Sequence, residues 1–296
     1  MARQQSPPRT DEEREDAPPG PGGHEPRAAL RASWTATNLV GVPSTLIGSV
    51  AFNRHPVELV IHGTRESARG LFAMLGAARS LQEATPMFEH FMELMFGLAA
   101  QAPGTNAFEA RRWRASYRRL LGGWGFDSNS APAAVLKGWV ESRFGMVPSY
   151  HGGRLERFPS RAWMGYLEQK MTSRFHGNCI NLQLDLLYEY CQWAVERFGV
   201  PARGHVPVWR GIDTLSGHRV VSGSLRERRA IVQFNNLVSF SLSRDDAAVF
   251  GGWILAAEVP VQKLLFFPGL LSGSLLAGEQ EVIALGGEYE VAASYW

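Results

Sequence analysis

Three short motifs in the last third of the chain hold the side chains best suited to chemistry. The first is Val208-Trp209-Arg210-Gly211. An arginine fixed on a strand can fork onto a phosphate or pyrophosphate, and a following glycine lets a ligand approach the backbone. The second is Ser239-Phe240-Ser241, with Ser243 behind it as a helix cap and then Asp245, Asp246, Ala247, Ala248 and Phe250. Strand alternation puts both hydroxyls on one face, where they can hold neighbouring carboxylates or a ribose. The third is Glu279-Gln280-Glu281, after Gly278 and before the apolar run Val282 to Leu285. Glutamates at i and i+2 of an extended chain project to the same side. Such a pair suits the departure of a glycosidic group through an oxocarbenium-like state: one carboxylate anchors a sugar hydroxyl and steadies positive charge, and the other handles a proton. Taken singly, each motif also has a plainer explanation: a surface ion pair, a half-buried strand, a solvated strand end.

The elements around these motifs read as strands. After Pro201 the apolar residues fall in short runs with β-branched and aromatic content: Val206 to Ile212, Val238 to Leu242, Trp253 to Val259, Leu264 to Phe267, Gln280 to Leu285 and Tyr289 to Tyr295. Gly and Pro punctuate them, the signal of an antiparallel sheet. Upstream the pattern is mainly helical. Thr64 reads as the N-cap of a helix carrying Ala68, Leu71, Phe72 and Leu75, preceded by Val57 to Ile61 as a short strand. Met87, Phe88, Phe91, Met95 and Leu98 mark a second helix, its methionines read as core filler. Phe108 to Leu121 is a third, with Trp113, Tyr117, Leu120 and Leu121 on one face. Leu184, Leu187, Tyr188, Cys191, Val195 and Phe198 mark a fourth, closed by Gly199 and Pro201. The expected fold class is therefore α+β: a mainly helical lobe over 33–200 and an antiparallel β core over 201–296. Residues 1–32, rich in Pro, Gly, Glu and Arg, read as a disordered tail. No strand–helix alternation occurs and no G-x-G-x-x-G opens a helix after a strand, so a Rossmann fold is not expected.

Composition narrows the function classes. With 296 residues, 45% of them hydrophobic, the chain can bury a full core. No apolar run approaches the roughly 20 residues of a membrane span, and Met1 to Arg31 is charged and proline-rich where a signal peptide would be apolar. The two cysteines, Cys179 and Cys191, fall in one helical segment, so a disulfide is not expected and a reducing cytoplasm is. Two cysteines without a nearby His pair cannot build a structural zinc site, and no metal is expected. A net charge of +2 is too mild for a nucleic-acid binder. His151 and His176, each before a glycine, could sit near a cleft, although loop histidines are more often structural or merely exposed. Arg111, Arg114 and Arg118 recur at helical spacing, as a solvated face or as a dock for an acidic partner.

Arg, then Ser-x-Ser leading into an Ala–Phe helix, then Glu-x-Glu, resembles the arginine-specific branch of the ADP-ribosyltransferases over Val206 to Trp296. Two upstream stretches narrow this: Thr37-Asn38-Leu39-Val40-Gly41-Val42-Pro43, and Phe52-Asn53-Arg54-His55-Pro56 followed by Leu59 to Arg65. With them the chain resembles the dinitrogenase reductase ADP-ribosyltransferases from about Trp34 to Trp296. The resemblance implies a split antiparallel β core with NAD, as substrate, in its cleft. It implies that Arg210 holds the NAD phosphates, with Gly211 beside the nicotinamide amide. Ser239 would brace the site, with Ser241 beside it as a further NAD-binding residue. Glu281 would be the catalytic glutamate on the nicotinamide ribose, and Glu279 would orient and help deprotonate the target guanidinium. Leu264 to Gly278 would be the substrate-recognition loop, with Phe266 and Phe267 as contacts. The implied partners are the nitrogenase iron protein (dinitrogenase reductase), whose modification switches off nitrogen fixation, and a PII-type signalling protein. Ser-Phe-Ser stands where the family's Ser-Thr-Ser is usual, and Trp209 where tyrosine is frequent. A different target protein, an NAD glycohydrolase and a non-catalytic NAD-binding regulator are the alternative readings.

Overall fold

The computed structural model describes residues 38–98, 115–171, 179–213, 218–273, 276 and 280–295. Among them, nine helices precede the sheet: α1 (Ser44–Ile47), α2 (Val50–Arg54), α3 (Thr64–Ser67), α4 (Arg69–Leu75), α5 (Leu81–Phe96), α6 (Tyr117–Phe126), α7 (Ala131–Phe144), α8 (Arg161–Lys170) and α9 (Ile180–Phe198). The strands are β1 (His205–Ile212), β2 (Arg219–Ser224), β3 (Arg229–Ser241), β4 (Trp253–Pro260), β5 (Leu264–Phe266) and β6 (Glu281–Tyr295), with the short α10 (Arg244–Ala248) after β3. This is the α+β arrangement expected, and one hydrophobic core runs through helices and sheet together.

The longest helix organises the rest. α9 is buried along most of its length and closed by Gly199, whose φ of +68° suits a residue without Cβ. Its Tyr188 hydroxyl donates to the carbonyls of Leu59 (3.1 Å) and Gln262 (2.8 Å). Its Gln192 amide donates to Val261 (3.1 Å) and Leu264 (2.9 Å), tying the helix to the strand that flanks β6. Buried Glu189 accepts the Ile61 N–H at 2.7 Å and pairs with Arg65 at 2.6 Å. These bonds explain one correction. Val57 to Ile61 is irregular backbone, not a strand, because its polar groups are satisfied by α9 side chains.

Other boundaries move for local reasons. Gly63 at φ +83°, not Thr64, caps α3. The buried stripe of α5 is Phe88, Met92 and Phe96, and Met95 faces outward. Residues 99–114, with Trp113 and most of the expected third helix, lie outside the described residues. The helix seen there, α6, opens where Ser116 Oγ accepts the Arg119 N–H, and it continues past Leu121 through Gly122 and Gly123 to Phe126. Gly123 is needed for packing: a Cβ there would lie 2.7 Å from Pro132 of α7.

All strand pairs are antiparallel, in the order β2–β3–β1–β4–β6–β5, with β3 also paired to β6. The long β3–β6 ladder runs from Ser241↔Glu281 to Arg229↔Ala292, with a bulge between Phe234 and Leu237. Gly286 sits opposite that bulge, where a Cβ would fall 1.5 Å from the Asn235 carbonyl. β1 pairs with β4 from end to end but meets β3 at the one register pair Trp209↔Ser241. The sheet is split at that point, and a cleft opens beside it.

Candidate active site

The cleft measures about 530 Å³ and gathers Arg210, Gly211, Ser239, Ser241 and Glu281 with Trp124, Lys137 and His218. Its centre is a register effect. Ser241 faces Glu281 across the β3–β6 ladder, which leaves Ser239 two residues along. A diagonal pair of this kind lies within side-chain reach. The Ser239 hydroxyl donates to Glu281 Oε1 in a short hydrogen bond. The indole N–H of Trp124 points at the same place, 2.6 Å from Ser239 Oγ and 3.2 Å from Glu281 Oε1. Glu281 is 5% exposed, so its carboxylate is placed by these donors rather than by bulk water. Its other oxygen, Oε2, approaches Gly125, where a Cβ would stand 3.3 Å away.

Arg210 comes to the cleft from β1. Its guanidinium donates to the Ser239 carbonyl through Nη1, and its Nε lies 3.4 Å from His218 Nε2. Burial lowers its pKa to about 10 while the Glu281 charge pulls it back up. It therefore remains a cation at neutral pH, aimed into a space where an anion would be welcome. Gly211 has a different reason to be glycine than the approach of a ligand. A Cβ there would lie 1.9 Å from the Ala247 carbonyl of α10, so the missing side chain admits that helix. Ser241 is tied to the same turn, since its Oγ accepts the Ser243 N–H at 3.0 Å, and Ser243 caps α10 through the Asp246 N–H as expected.

Lys137 lies behind Trp124. The residue is 1% exposed, and its ammonium donates to the carbonyls of Ser128 (2.8 Å) and Tyr150 (3.0 Å). It sits 5.9 Å from the Trp124 ring centroid. Burial brings its pKa down to about 7, with Asp127 acting in the opposite sense. His151 completes this layer: Nδ1 is 3.3 Å from Lys137 Nζ and Nε2 is 2.9 Å from Gln169 Oε1, which makes it a structural histidine. His176 lies outside the described residues.

Three expectations change. Glu279 and Gly278 lie outside the described residues. β6 begins at Glu281 and Gln280 has φ +45°, so the chain is not extended at the residue between the two glutamates. Phe266 and Phe267 are each 1% exposed and belong to the core, so the first part of the expected recognition loop is strand β5 and buried connection. Arg118 is engaged within the chain. It pairs with Glu89 (2.6 Å) and donates to the Ser272 carbonyl (2.6 Å), while Arg111 and Arg114 lie outside the described residues. Trp124 and Lys137 are the residues that reading the sequence missed. The available signal was a tryptophan between glycines, Gly122-Gly123-Trp124-Gly125, in an otherwise arginine-rich segment.

Comparison with known proteins shows the family. The family model described as dinitrogenase reductase ADP-ribosyltransferase matches residues 37–293. A curated protein of Rhodospirillum rubrum named NAD(+)--dinitrogen-reductase ADP-D-ribosyltransferase is 47% identical over 264 residues, covering 88% of this chain and 95% of the relative. No solved structure matches the chain. No helix among the described residues is long and apolar enough to cross a membrane. On the length of the family match and the identity to that relative, the chain belongs to the dinitrogenase reductase ADP-ribosyltransferase family.

Proposed function

We propose that this protein transfers ADP-ribose from NAD to an arginine of dinitrogenase reductase and so switches off nitrogen fixation. The observation that carries the reading is the hydrogen-bonded Ser239–Glu281 pair facing the Arg210 cation across one cleft, in a chain of this family. NAD is the substrate. Arg210 takes its phosphates, with Gly211 and Ser241 lining the site and Ser239 bracing Glu281. The bond between ribose C1′ and nicotinamide nitrogen breaks, and its electron pair leaves with nicotinamide. Positive charge then develops on the ribose, where the Glu281 carboxylate anchors a hydroxyl and opposes the charge. The arginine nitrogen forms the new bond to C1′ and gives up a proton. A guanidinium with a pKa above about 12 is no nucleophile until a carboxylate draws that proton off, and we assign this to Glu279. The family resemblance adds two proposals: a cytoplasmic setting in a bacterium, and a PII-type signalling protein as controlling partner. Incubation with labelled NAD and dinitrogenase reductase, followed by mapping of the label, tests the reading. Label on a single arginine is expected. Label on another residue type, or nicotinamide release that ignores the acceptor, would overturn it.

A further inference from the structure

We propose that Trp124 is a positioning residue for the catalytic carboxylate, which makes the helical region part of the catalytic machinery. The inference rests on the reading of Glu281 given above. It starts from the direction of one N–H. The Trp124 indole donates to Ser239 Oγ at 2.6 Å and to Glu281 Oε1 at 3.2 Å, while the Ser239 hydroxyl donates to that same oxygen. Two donors on one carboxylate oxygen hold the group in one orientation.

The indole is itself held in place. Trp124 is 3% exposed, and the Lys137 ammonium lies over its ring. α6 is anchored at its other end, where the Tyr117 N–H donates to Gln183 Oε1 (3.0 Å) and Arg118 bridges Glu89 and the Ser272 carbonyl. The glycines on either side of the tryptophan have packing reasons. Gly123 admits Pro132, and a Cβ on Gly125 would fall 2.2 Å from Leu276 and 3.3 Å from Glu281 Oε2. A side chain this constrained, with its one polar atom on the reacting carboxylate, does more than fill the core.

The experiment replaces Trp124 by β-(3-benzothienyl)alanine, which keeps the bicyclic shape and puts sulfur where the N–H was. Trp124→Phe serves as the genetic counterpart. Nicotinamide release from NAD is measured with and without dinitrogenase reductase, per folded molecule from a thermal melt. The expected result is a fall in kcat of about 10- to 100-fold, the range for one hydrogen bond to a charged group. The KM for NAD should stay within about two-fold, because Arg210 is untouched. In a Ser239→Ala background the same replacement should cost much less, since both act through Glu281. Full activity of the benzothienyl protein overturns the inference, and so does an unchanged kcat with a raised KM, which would make Trp124 a nucleotide contact. Glu281→Gln in the same assay keeps the two claims apart. If that variant stays active, the reading of Glu281 fails; if it is dead while the benzothienyl protein is normal, only the role of Trp124 fails.

Discussion

Replacing Glu281 by glutamine removes a charge while leaving almost everything else in place. The amide can seat its oxygen where Oε1 sits, so Ser239 and Trp124 keep an acceptor, and the side-chain volume is unchanged. What is lost is the attraction between the carboxylate and the positive charge that develops on the ribose. Across about 5 Å, at an effective dielectric of about 20, that attraction is worth about 3 kcal/mol, or about 200-fold in rate. Arg210 loses the neighbour that raises its pKa, so that value falls further, but a guanidinium stays protonated at neutral pH. The KM for NAD should therefore change by no more than about two-fold while kcat collapses. Steady-state nicotinamide release, with and without the acceptor protein, measures both quantities. A kcat within tenfold of the parent in either condition would refute the reasoning, because it would mean that charge at this position is not felt in the transition state.

Three further outcomes are expected. Glu279→Gln should abolish transfer to arginine yet leave slow NAD hydrolysis, and equal loss of both would show that the two glutamates do not divide the work. Gly211→Ala drives a methyl group against the Ala247 carbonyl and should lower stability by about 1–3 kcal/mol, read as a drop in melting temperature; an unchanged melt would contradict the packing. Burial lowers Lys263 to about 7, against about 10.4 in an unfolded chain. Between those values the unfolded chain binds more protons, so folded-state stability rises with pH. The urea-unfolding free energy of the parent minus that of Lys263→Met should climb by up to about 1.4 kcal/mol per pH unit from pH 7.5 to 10, and parallel curves would refute it.

What the chain disclosed on reading follows from where its information is local. α9 declared itself because its apolar residues recur at helical spacing and a glycine closes it. The strands around Arg210, Ser239 and Glu281 were legible from short β-branched runs with Gly and Pro between them. α7 was not, since it is buried on nearly every side, Lys137 included, and has no polar face to set a period. β2 was missed for the opposite reason, being polar and mostly exposed. β6 read as two runs because Gly286 and Gly287 interrupt it, whereas in the sheet Gly286 accommodates the bulge in β3 and Gly287 admits the backbone of Gly48. Trp124 offered only its flanking glycines as a local signal, and its role was not legible because its partners stand 115 and 157 residues further along the chain.

Gln280 has a consequence for how such an enzyme can diversify. With φ at +45° it turns the chain as it enters β6, its carbonyl accepts the Leu242 N–H at 3.1 Å, and the next amide, that of Glu281, donates to Leu276 at 3.3 Å. The backbone is thus clamped on both sides of one peptide, and Glu281 inherits the rigidity of a fifteen-residue strand. Apart from Leu276, which holds the Glu281 amide, and Glu279, which we assign to the acceptor, changes upstream of the clamp are separated by it from the carboxylate downstream. Descendants of such a chain can drift in which guanidinium they modify while the sugar chemistry stays fixed. The expected mark across relatives is two rates of substitution meeting at residue 280.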